Sequence, residues 1–373
     1  MSKKHLYFDE TKYKRIIAIS DIHGSIDLFN QLLAKIELTA DDLLVLVGDY
    51  VNRGTCSLAV LRKVMALSQL PNCVVLTGNH EPFVYYIVKN DARRSNFNRF
   101  LDKWYYPTIL HEMTAALKAQ GAKLPADGPA ICDLLYETYR AEFDFMNSMA
   151  VLLEGKSHIF VHAGYESHFC LPDNYEGYVK YDNYIGLTTR QAKTVVVGHW
   201  PISNYLEDRI ANIPHFCRQK NVILLDGGLN IKSSGELNAL LITPQNGSFR
   251  YDYLQVNDFE PVKVVAPFDY PNAPFVYVKY PDYAVECVGR GALLSRYRHI
   301  QSGRELTVFN CLVNSNEEGS RLKLDYLNTY LDAPIGADVL IAKSFEDCSL
   351  VKYGDAFYWA ANRQLSAGWA DKL

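Results

Sequence analysis

Short apolar runs, each followed at once by a polar cluster, recur through the first two thirds of the chain. The clearest runs read KRIIAIS, DLLVLV, CVVLTG, HIFVH and TVVVG. Runs of this length and composition are typical of buried strands in a parallel sheet. Apolar residues at helical spacing follow the first two runs, over 25–36 and 55–70, as expected for strand–helix–strand units. The pattern therefore predicts an α/β fold.

A helical insertion is predicted between residues 82 and 152, where the apolar spacing is helical, most clearly over 110–119 and 131–149. Because it directly follows the third polar cluster, it is a candidate cap over that cluster. It carries six basic and aromatic residues of interest: Arg93, Arg94, Arg99, Trp104, Tyr105 and Tyr106. They are candidates for a phosphate clamp or a base-stacking platform. The alternative is an ordinary packed helical subdomain with a solvated charged face.

A second domain is predicted beyond the two strands at 237–243 and 249–256. Prolines cluster between 261 and 281, which is typical of a linker that runs into edge strands. The runs FVYVKY, ELTVFNCLV and DVLIAKS then predict further strands. We therefore predict a catalytic domain over 1–258 and a small, mainly-β domain over 262–373. The second domain is expected to be structural or to dock an unknown partner.

The polar clusters carry metal-ligand side chains: Asp21, His23, Asp49, Asn79, His162 and His199. In open α/β sheets, ligands gather at the carboxyl ends of the strands, so these side chains are expected to converge. Carboxylate, imidazole and amide ligands together suit two divalent ions such as Mn, Fe or Zn, with Mn favoured. With one ion on Asp21, His23 and Asp49, and the other on Asp49, Asn79, His162 and His199, Asp49 bridges ions ~3.5–4 Å apart. Such a pair attracts phosphate.

Two further residues complete a predicted hydrolytic site. His80 directly follows Asn79, where an unbound imidazole can protonate a leaving oxygen as a general acid. Arg53 offers a planar fork that binds phosphoryl oxygens in bidentate fashion. A covalent nucleophile is not required, because a hydroxide held by the two ions can attack phosphorus directly.

These clusters resemble the phosphoprotein phosphatase family of the calcineurin-like metallophosphoesterase superfamily, whose pattern is GDxHG, GDxxDRG, GNHE, HGG or HAG, and a late GH. The resemblance covers roughly residues 14 to 245. It implies a metallophosphoesterase β-sandwich flanked by helices, and the metal, acid and phosphate-binding roles given above. It also implies a serine/threonine protein phosphatase-like enzyme acting on a phosphorylated protein or a small phosphate ester.

The chain departs from the family pattern at three points. Ser20 replaces the first glycine, and Asn52 replaces the aspartate that orients His80 in the family. The second phosphate-binding arginine of the protein phosphatases has no recognisable counterpart. Asn52, with the HAG, GHW and LDGG segments, is instead similar to symmetrical dinucleoside tetraphosphate hydrolases, although those usually have aspartate where Glu81 stands. That activity is the alternative, and a degenerate protein that only binds phosphate is a third reading.

The composition of the chain limits the partners and the cellular compartment that we expect for it. A net charge of −4 over 373 residues offers no broad basic face, so a long nucleic acid is not an expected partner. No run reaches the ~18 apolar residues of a membrane span, and no secretory signal precedes the first strand. The eight cysteines include no CxxC pair, which is typical of reduced thiols. We therefore expect a cytoplasmic protein that does not associate with membranes.

Overall fold

The computed structural model describes residues 4–271, 275–317 and 319–366, and the chain forms two compact units. The first unit comprises Met1–Ile202, Ile213–Ile231 and Glu236–Val256. The second comprises Ser203–Asn212, Lys232–Gly235 and Asn257–Leu373. The two short earlier segments of the second unit have no signal in the sequence pattern. The end of the predicted second domain, 367–373, and Pro274 of the proline cluster lie outside the described residues.

The strands of the first unit form two sheets. In chain order they are β1 (His5–Tyr7), β2 (Arg15–Ile19), β3 (Asp42–Val47), β4 (Cys73–Leu76), β5 (Leu152–Glu154), β6 (His158–Val161), β7 (Thr194–Val197), β8 (His215–Cys217), β9 (Val222–Leu224), β10 (Leu237–Gln245) and β11 (Ser248–Val256). One sheet has the order β1-β5-β6-β7-β9-β8 and the other β11-β10-β2-β3-β4. The segments β2-β3-β4 and β6-β7-β9 are parallel, so each sheet gathers several carboxyl ends at one edge.

Side chains of β2 alternate between two hydrophobic cores, one between the two sheets and one between a sheet and the helices. Ile16 and Ala18 belong to a core that also holds Phe160 and Val196 of the other sheet. Ile17, on the opposite face of the strand, packs instead in the core formed with the helices. Successive side chains of a strand point to opposite faces, so an entirely apolar strand can serve both cores. The predicted β-sandwich flanked by helices is confirmed.

The helices of the first unit are α1 (Ile26–Ile36), α2 (Ser57–Leu67), α3 (His80–Lys89), α4 (Asp91–Arg94), α5 (Phe97–Lys103), α6 (Ile109–Ala119), α7 (Gly128–Thr138), α8 (Arg140–Ser148), α9 (Tyr175–Val179) and α10 (Tyr184–Leu187). The helical insertion is confirmed, and the stretch over 131–149, for which helical spacing was predicted, forms the two helices α7 and α8. They separate at Tyr139, whose backbone (φ −111°, ψ 33°) leaves the helical region. Its buried hydroxyl lies 3.4 Å from the carbonyl oxygen of Met113, a contact that sequence periodicity does not encode. No helix in the described part of the chain is both long and apolar enough to cross a bilayer.

The second unit is mainly β, as predicted. Its strands are β12 (Glu260–Lys263), β13 (Tyr277–Val278), β14 (Ala284–Gly289), β15 (Leu294–His299), β16 (Glu305–Phe309), β17 (Val313–Asn316), β18 (Gly319–Leu322), β19 (Tyr326–Leu327), β20 (Asp338–Ser344), β21 (Cys348–Tyr353) and β22 (Ala356–Ala361). They form sheets in the orders β12-β20-β21-β22, β13-β19 and β16-β15-β14-β18-β17. The run ELTVFNCLV is interrupted by a 3₁₀ turn, Asn310–Leu312, because buried Phe309 and Leu312 both point into the core.

Candidate metal centre

All of the predicted ligands lie in loops at the carboxyl ends of strands. They follow β2, β3, β4, β6 and β7 and are Asp21, His23, Asp49, Asn79, His162 and His199. Four of them hold left-handed backbone angles, with φ of 55° at Asp21, 44° at His23, 55° at Asp49 and 67° at His199. This conformation is costly for residues other than glycine, and it concentrates at functional sites. The sharp turns bring the side chains of separate strands to one point.

Glu81 holds two of these loops against each other. Its carboxylate accepts the backbone N–H groups of Gly78 at 2.8 Å, Tyr50 at 2.8 Å and Asp49 at 3.2 Å. Burial, followed by the charge of Asp49, raises the pKa of Glu81 to about 7. A side chain at Gly78 would place its Cβ 2.1 Å from Asp49 Oδ1, so the close approach of the loops requires glycine there. The sequence includes Glu81 in its motif but does not reveal this positioning role.

One group of donors surrounds Asp49, His162 and His199, whose ligand atoms all lie within 4.8 Å of one another. His162 Nε2 lies 3.3 Å from Asp49 Oδ2 and 3.3 Å from Asn79 Oδ1. His162 Nδ1 lies 2.8 Å from the carbonyl oxygen of Val47, which can only accept a hydrogen bond. That carbonyl therefore places a proton on Nδ1 and turns Nε2 toward the cluster, as in metal-ligating histidines.

A second group of donors comprises His23, Asp49 and His80, again within 4.8 Å of one another. His23 Nε2 lies 3.9 Å from Asp49 Oδ2 and 3.9 Å from Asp21 Oδ1. His80 Nε2 also lies 3.9 Å from Asp49 Oδ2, so His80 faces the same point as the predicted ligands. Asp49 is thus common to both groups, the position that a bridging ligand requires.

The buried charges of the cluster are those of a cation site. Burial, followed by the nearby charge of Asp226, raises the pKa of Asp21 well above its ordinary value. Burial likewise raises the pKa of Asp226 to about 6, and its Oδ1 accepts the Gly228 N–H at 2.7 Å. For His162, burial lowers the pKa, but Asp49 outweighs this and raises it to about 10. Positive charge is therefore favoured beside these carboxylates, and the donor set fits two divalent ions.

Asp182 is a site residue that the sequence analysis missed. Its Oδ1 lies 2.8 Å from His199 Nε2. A carboxylate only accepts hydrogen bonds, so His199 Nε2 carries a proton. In a neutral ring Nδ1 is then unprotonated, and its lone pair is available to a metal ion at the cluster. That Nδ1 lies 2.9 Å from Asn79 Oδ1. Asp182 stands 17 residues before His199 in no recognisable motif, so no sequence signal indicated it.

Asn52 links His80 to the helical insertion. Its Oδ1 accepts the backbone N–H of Ile109, at the start of α6, at 3.0 Å. Its Nδ2 must therefore face the other way, where it lies 2.9 Å from His80 Nδ1. The amide therefore donates to the ring. Burial, outweighing the opposing effect of Asp49, lowers the pKa of His80 to about 4. His80 is thus a neutral ring with its proton on Nε2.

Arg53 is held from the insertion side as well. Its guanidinium lies over the ring of Tyr106, 4.8 Å from the centroid, and its backbone N–H donates to the Pro107 carbonyl at 2.8 Å. Among the described residues, its buried Nε has no hydrogen-bond partner, so this N–H group is available to bind an anion. Arg94, a predicted alternative clamp, is instead engaged by Asp133 and by the carbonyl of Pro129.

Aromatic rings from the insertion surround this position. Tyr106 lies 5.9 Å from His80 and 4.7 Å from Tyr105, ring centre to ring centre. Trp104 packs edge-on against Tyr106 at 5.6 Å. Tyr105 is 80% exposed, so one face of the aromatic group is open to solvent beside the cluster.

A two-layer sandwich with carboxylate, imidazole and amide donors at its strand ends defines a metallophosphoesterase. The chain belongs to the calcineurin-like phosphoesterase family, whose model matches residues 14–225.

Curated relatives match over shorter stretches. A symmetrical bis(5'-nucleosyl)-tetraphosphatase of Janthinobacterium sp. (strain Marseille) is 32% identical over 149 residues, which are 39% of this chain and 42% of that protein. The protein of the same name from Legionella pneumophila (strain Lens) is 46% identical over 65 residues, 17% of this chain and 23% of that protein. This chain therefore spans less than half the length of these relatives. Among solved structures, a protein serine/threonine phosphatase from Saccharomyces cerevisiae is 14% identical, with a TM-score of 0.41, over 68% of this chain and 85% of that chain.

Proposed function

We propose that the chain is a metal-dependent hydrolase of nucleotide phosphoanhydrides, with a dinucleoside tetraphosphate as its best candidate substrate. Asp21, His23, Asp49, Asn79, His162 and His199 are the proposed holders of two divalent ions, for which manganese is our first choice. Such ions supply Lewis-acid activation of water and of phosphoryl oxygens. The remaining residues bind, orient and exchange protons with the substrate.

The hydrogen bond from Asn52 to His80 is the observation that carries the proposal. A neutral imidazole N–H is a weaker acid than an imidazolium, and a carboxylate at position 52 would have favoured the imidazolium. A weak acid suffices for a leaving group that carries its negative charge well, such as a nucleoside diphosphate. It serves a serine alkoxide poorly, because that oxygen needs a proton as it departs. The geometry therefore favours an anhydride over an alkyl phosphate.

Arg53 and the insertion aromatics favour a substrate with a planar group. The Arg53 fork suits phosphoryl oxygens, and Tyr106 beneath it fixes its plane. Exposed Tyr105 lies one ring further out, where a nucleobase could stack when the phosphates reach the metal ligands. The names of the curated relatives support the same substrate class, although the matched stretches are partial.

A phosphomonoesterase acting on phosphoserine or phosphothreonine is the second candidate. It is the first choice of the sequence analysis, and Glu81 favours it, because the symmetrical hydrolases usually have aspartate there. The same metal ligands and Arg53 would serve both reactions, so the leaving group and the substrate's planar portion are the features that distinguish them.

The test compares three substrates on manganese-loaded enzyme: a dinucleoside tetraphosphate, a phosphoserine peptide and nitrophenyl phosphate. We expect kcat/KM for the tetraphosphate to exceed that for the phosphopeptide by about tenfold or more, since a positioned strong acid contributes ~10²–10⁴-fold. Chromatography of the nucleotides should identify two nucleoside diphosphates as products. A higher kcat/KM for the phosphopeptide would replace this proposal with the second candidate.

The aromatic contribution is tested by Tyr105→Ala. Loss of one stacking ring should raise KM for the tetraphosphate about tenfold, because stacking of one base contributes ~1–3 kcal/mol. Tyr105→Phe keeps the ring and should retain the wild-type KM. Tyr86→Ala, at a half-exposed tyrosine of α3, is the matched surface control. Equal KM values in all four proteins would remove stacking from the proposal.

A further inference from the structure

Two cysteine side chains of the second unit are in direct contact. Cys311 lies in the 3₁₀ turn between β16 and β17, and its Sγ is 3.6 Å from the Sγ of Cys348, the first residue of β21. A disulfide bond has a sulfur–sulfur distance of ~2.05 Å, so the two atoms need to approach by roughly 1.6 Å. The flanking residues Phe309 and Leu312 are fully buried, which fixes the position of the turn.

The two thiols differ in access and in acidity. Cys311 is partly exposed, whereas Cys348 is fully buried. The hydrogen bond from the Cys348 thiol, supported by a backbone hydrogen bond from Asp347 and opposed by burial, lowers the pKa of Cys311 to about 7. Burial raises the pKa of Cys348. A small oxidant therefore reaches the partly ionised sulfur of Cys311 first, and the protonated sulfur of Cys348 lies buried next to it.

We propose that Cys311 and Cys348 form a reversible disulfide when the protein meets hydrogen peroxide. The Cys311 thiolate attacks one peroxide oxygen, the O–O bond breaks, and the departing oxygen takes up a proton and leaves as water. The Cys348 sulfur then attacks the Cys311 sulfur, the S–O bond breaks, and the hydroxyl leaves with the Cys348 proton as a second water. The two thiols lose two electrons in total, which the peroxide gains.

The bond would join the turn before β17 to the start of β21. These elements belong to two different sheets of the second unit, β16-β15-β14-β18-β17 and β12-β20-β21-β22. The closed loop contains β17 to β20 and restricts the unfolded chain over that whole length, which stabilises the folded unit. We expect the unfolding transition of this unit to rise by about 5 °C or more on oxidation.

In the experiment, the full chain is first reduced and the reductant is removed. The protein is then treated with stoichiometric hydrogen peroxide, and the remaining free thiols are alkylated. Intact-mass analysis should find the loss of two hydrogen atoms, and non-reduced peptide mapping should find Cys311 linked to Cys348. A thiol reductant should reverse both changes and the shift in unfolding temperature. A map in which Cys311 carries added oxygen and no linked peptide forms would overturn the proposal.

Single-cysteine variants distinguish the roles of Cys311 and Cys348. Cys348→Ser should stop the reaction at the sulfenic acid of Cys311, which a dione reagent traps, and Cys311→Ser should abolish linkage. Cys287→Ser, at another partly buried cysteine of the same unit, should leave linkage and the temperature shift unchanged. Persistent linkage through another cysteine in Cys311→Ser would contradict the assignment. If a variant fails to fold, the peptide map of the wild-type protein still decides the matter.

Discussion

The amide of Asn52 donates a hydrogen bond to the ring of His80, and the backbone N–H of Ile109 dictates that direction. Asn52 Oδ1 is occupied by Ile109 at 3.0 Å, so only Nδ2 is available to His80 Nδ1, at 2.9 Å. The helical insertion thus reaches the candidate acid through one side chain. An aspartate at this position would accept hydrogen bonds from Ile109 and from His80 at once, because a carboxylate has acceptors on both oxygens.

This relationship predicts the effect of Asn52→Asp. A carboxylate beside His80 favours the imidazolium, so the acid form persists to higher pH. We expect hydrolysis of a phosphoserine peptide to rise about tenfold, while hydrolysis of nitrophenyl phosphate, whose leaving group hardly needs a proton, stays within about twofold. Steady-state rates on the two substrates measure the difference. A proportional change on both would mean that His80 does not protonate the leaving group.

Asp49 is common to both donor groups, so Asp49→Asn should reduce metal binding more than any other single ligand change. An amide lacks the charge and one acceptor oxygen of the carboxylate. We expect at most one manganese equivalent after dialysis, against two for the wild type, and a loss of activity of about a hundredfold or more. Asp252→Asn, at a partly exposed aspartate of β11, is the charge-matched control. Two full equivalents in Asp49→Asn would contradict the bridging assignment.

Asp182 should control the affinity of the site through His199. Asp182→Ala removes the acceptor that places the proton on His199 Nε2, and such partners typically contribute 10–100-fold in metal affinity. Asp182→Asn should have a smaller effect, because the amide oxygen still accepts. Competition with a metal chelator measures the affinity directly, with Asp173→Ala of the same loop region as control. An unchanged affinity in Asp182→Ala would reduce the contact to a surface ion pair.

The lowered pKa of Glu10 predicts that the stability of the protein depends on pH. Burial raises the pKa of Glu10, but hydrogen bonds from His158 and Ser157 outweigh it and lower the pKa to about 2. Its Oε1 accepts the backbone N–H groups of Ser157 at 2.9 Å and His158 at 2.8 Å. A lowered folded-state pKa stabilises above the ordinary value of 4.5, and this stabilisation is lost as the pH falls from about 4.5 to about 2.

The corresponding variant is Glu10→Gln. We expect a loss of about 1–3 kcal/mol of unfolding free energy at pH 7, with a much smaller difference near pH 2. Denaturant titrations across this pH range measure both quantities. Asp41→Asn, which breaks the exposed pair with Lys14, should change the unfolding free energy little at any pH. A difference that stays constant down to pH 2 would show that the Glu10 charge is not the source of the stabilisation.

The sequence by itself determined the strands that precede the polar clusters, the order of those clusters and the six candidate ligands. These features are local, because an apolar run ends at the residue where a metal-ligand cluster begins, as Val47 is followed by Gly48 and Asp49. Parallel strands then bring such ends to one edge whatever the details of the packing. The sequence also indicated the helical insertion and the mainly-β second unit, since both follow from periodicity.

Only the tertiary structure decided which partner each side chain takes. Asp182 meets His199 across a loop, and Ile109 of the insertion turns the amide of Asn52 toward His80. Arg94 binds Asp133 within the insertion, while Arg53 lies over Tyr106. The break at Tyr139 likewise arises from packing. In each case the deciding atoms are distant in the chain, and the choice between hydrogen-bond partners depends on which backbone groups the fold leaves within about 3 Å.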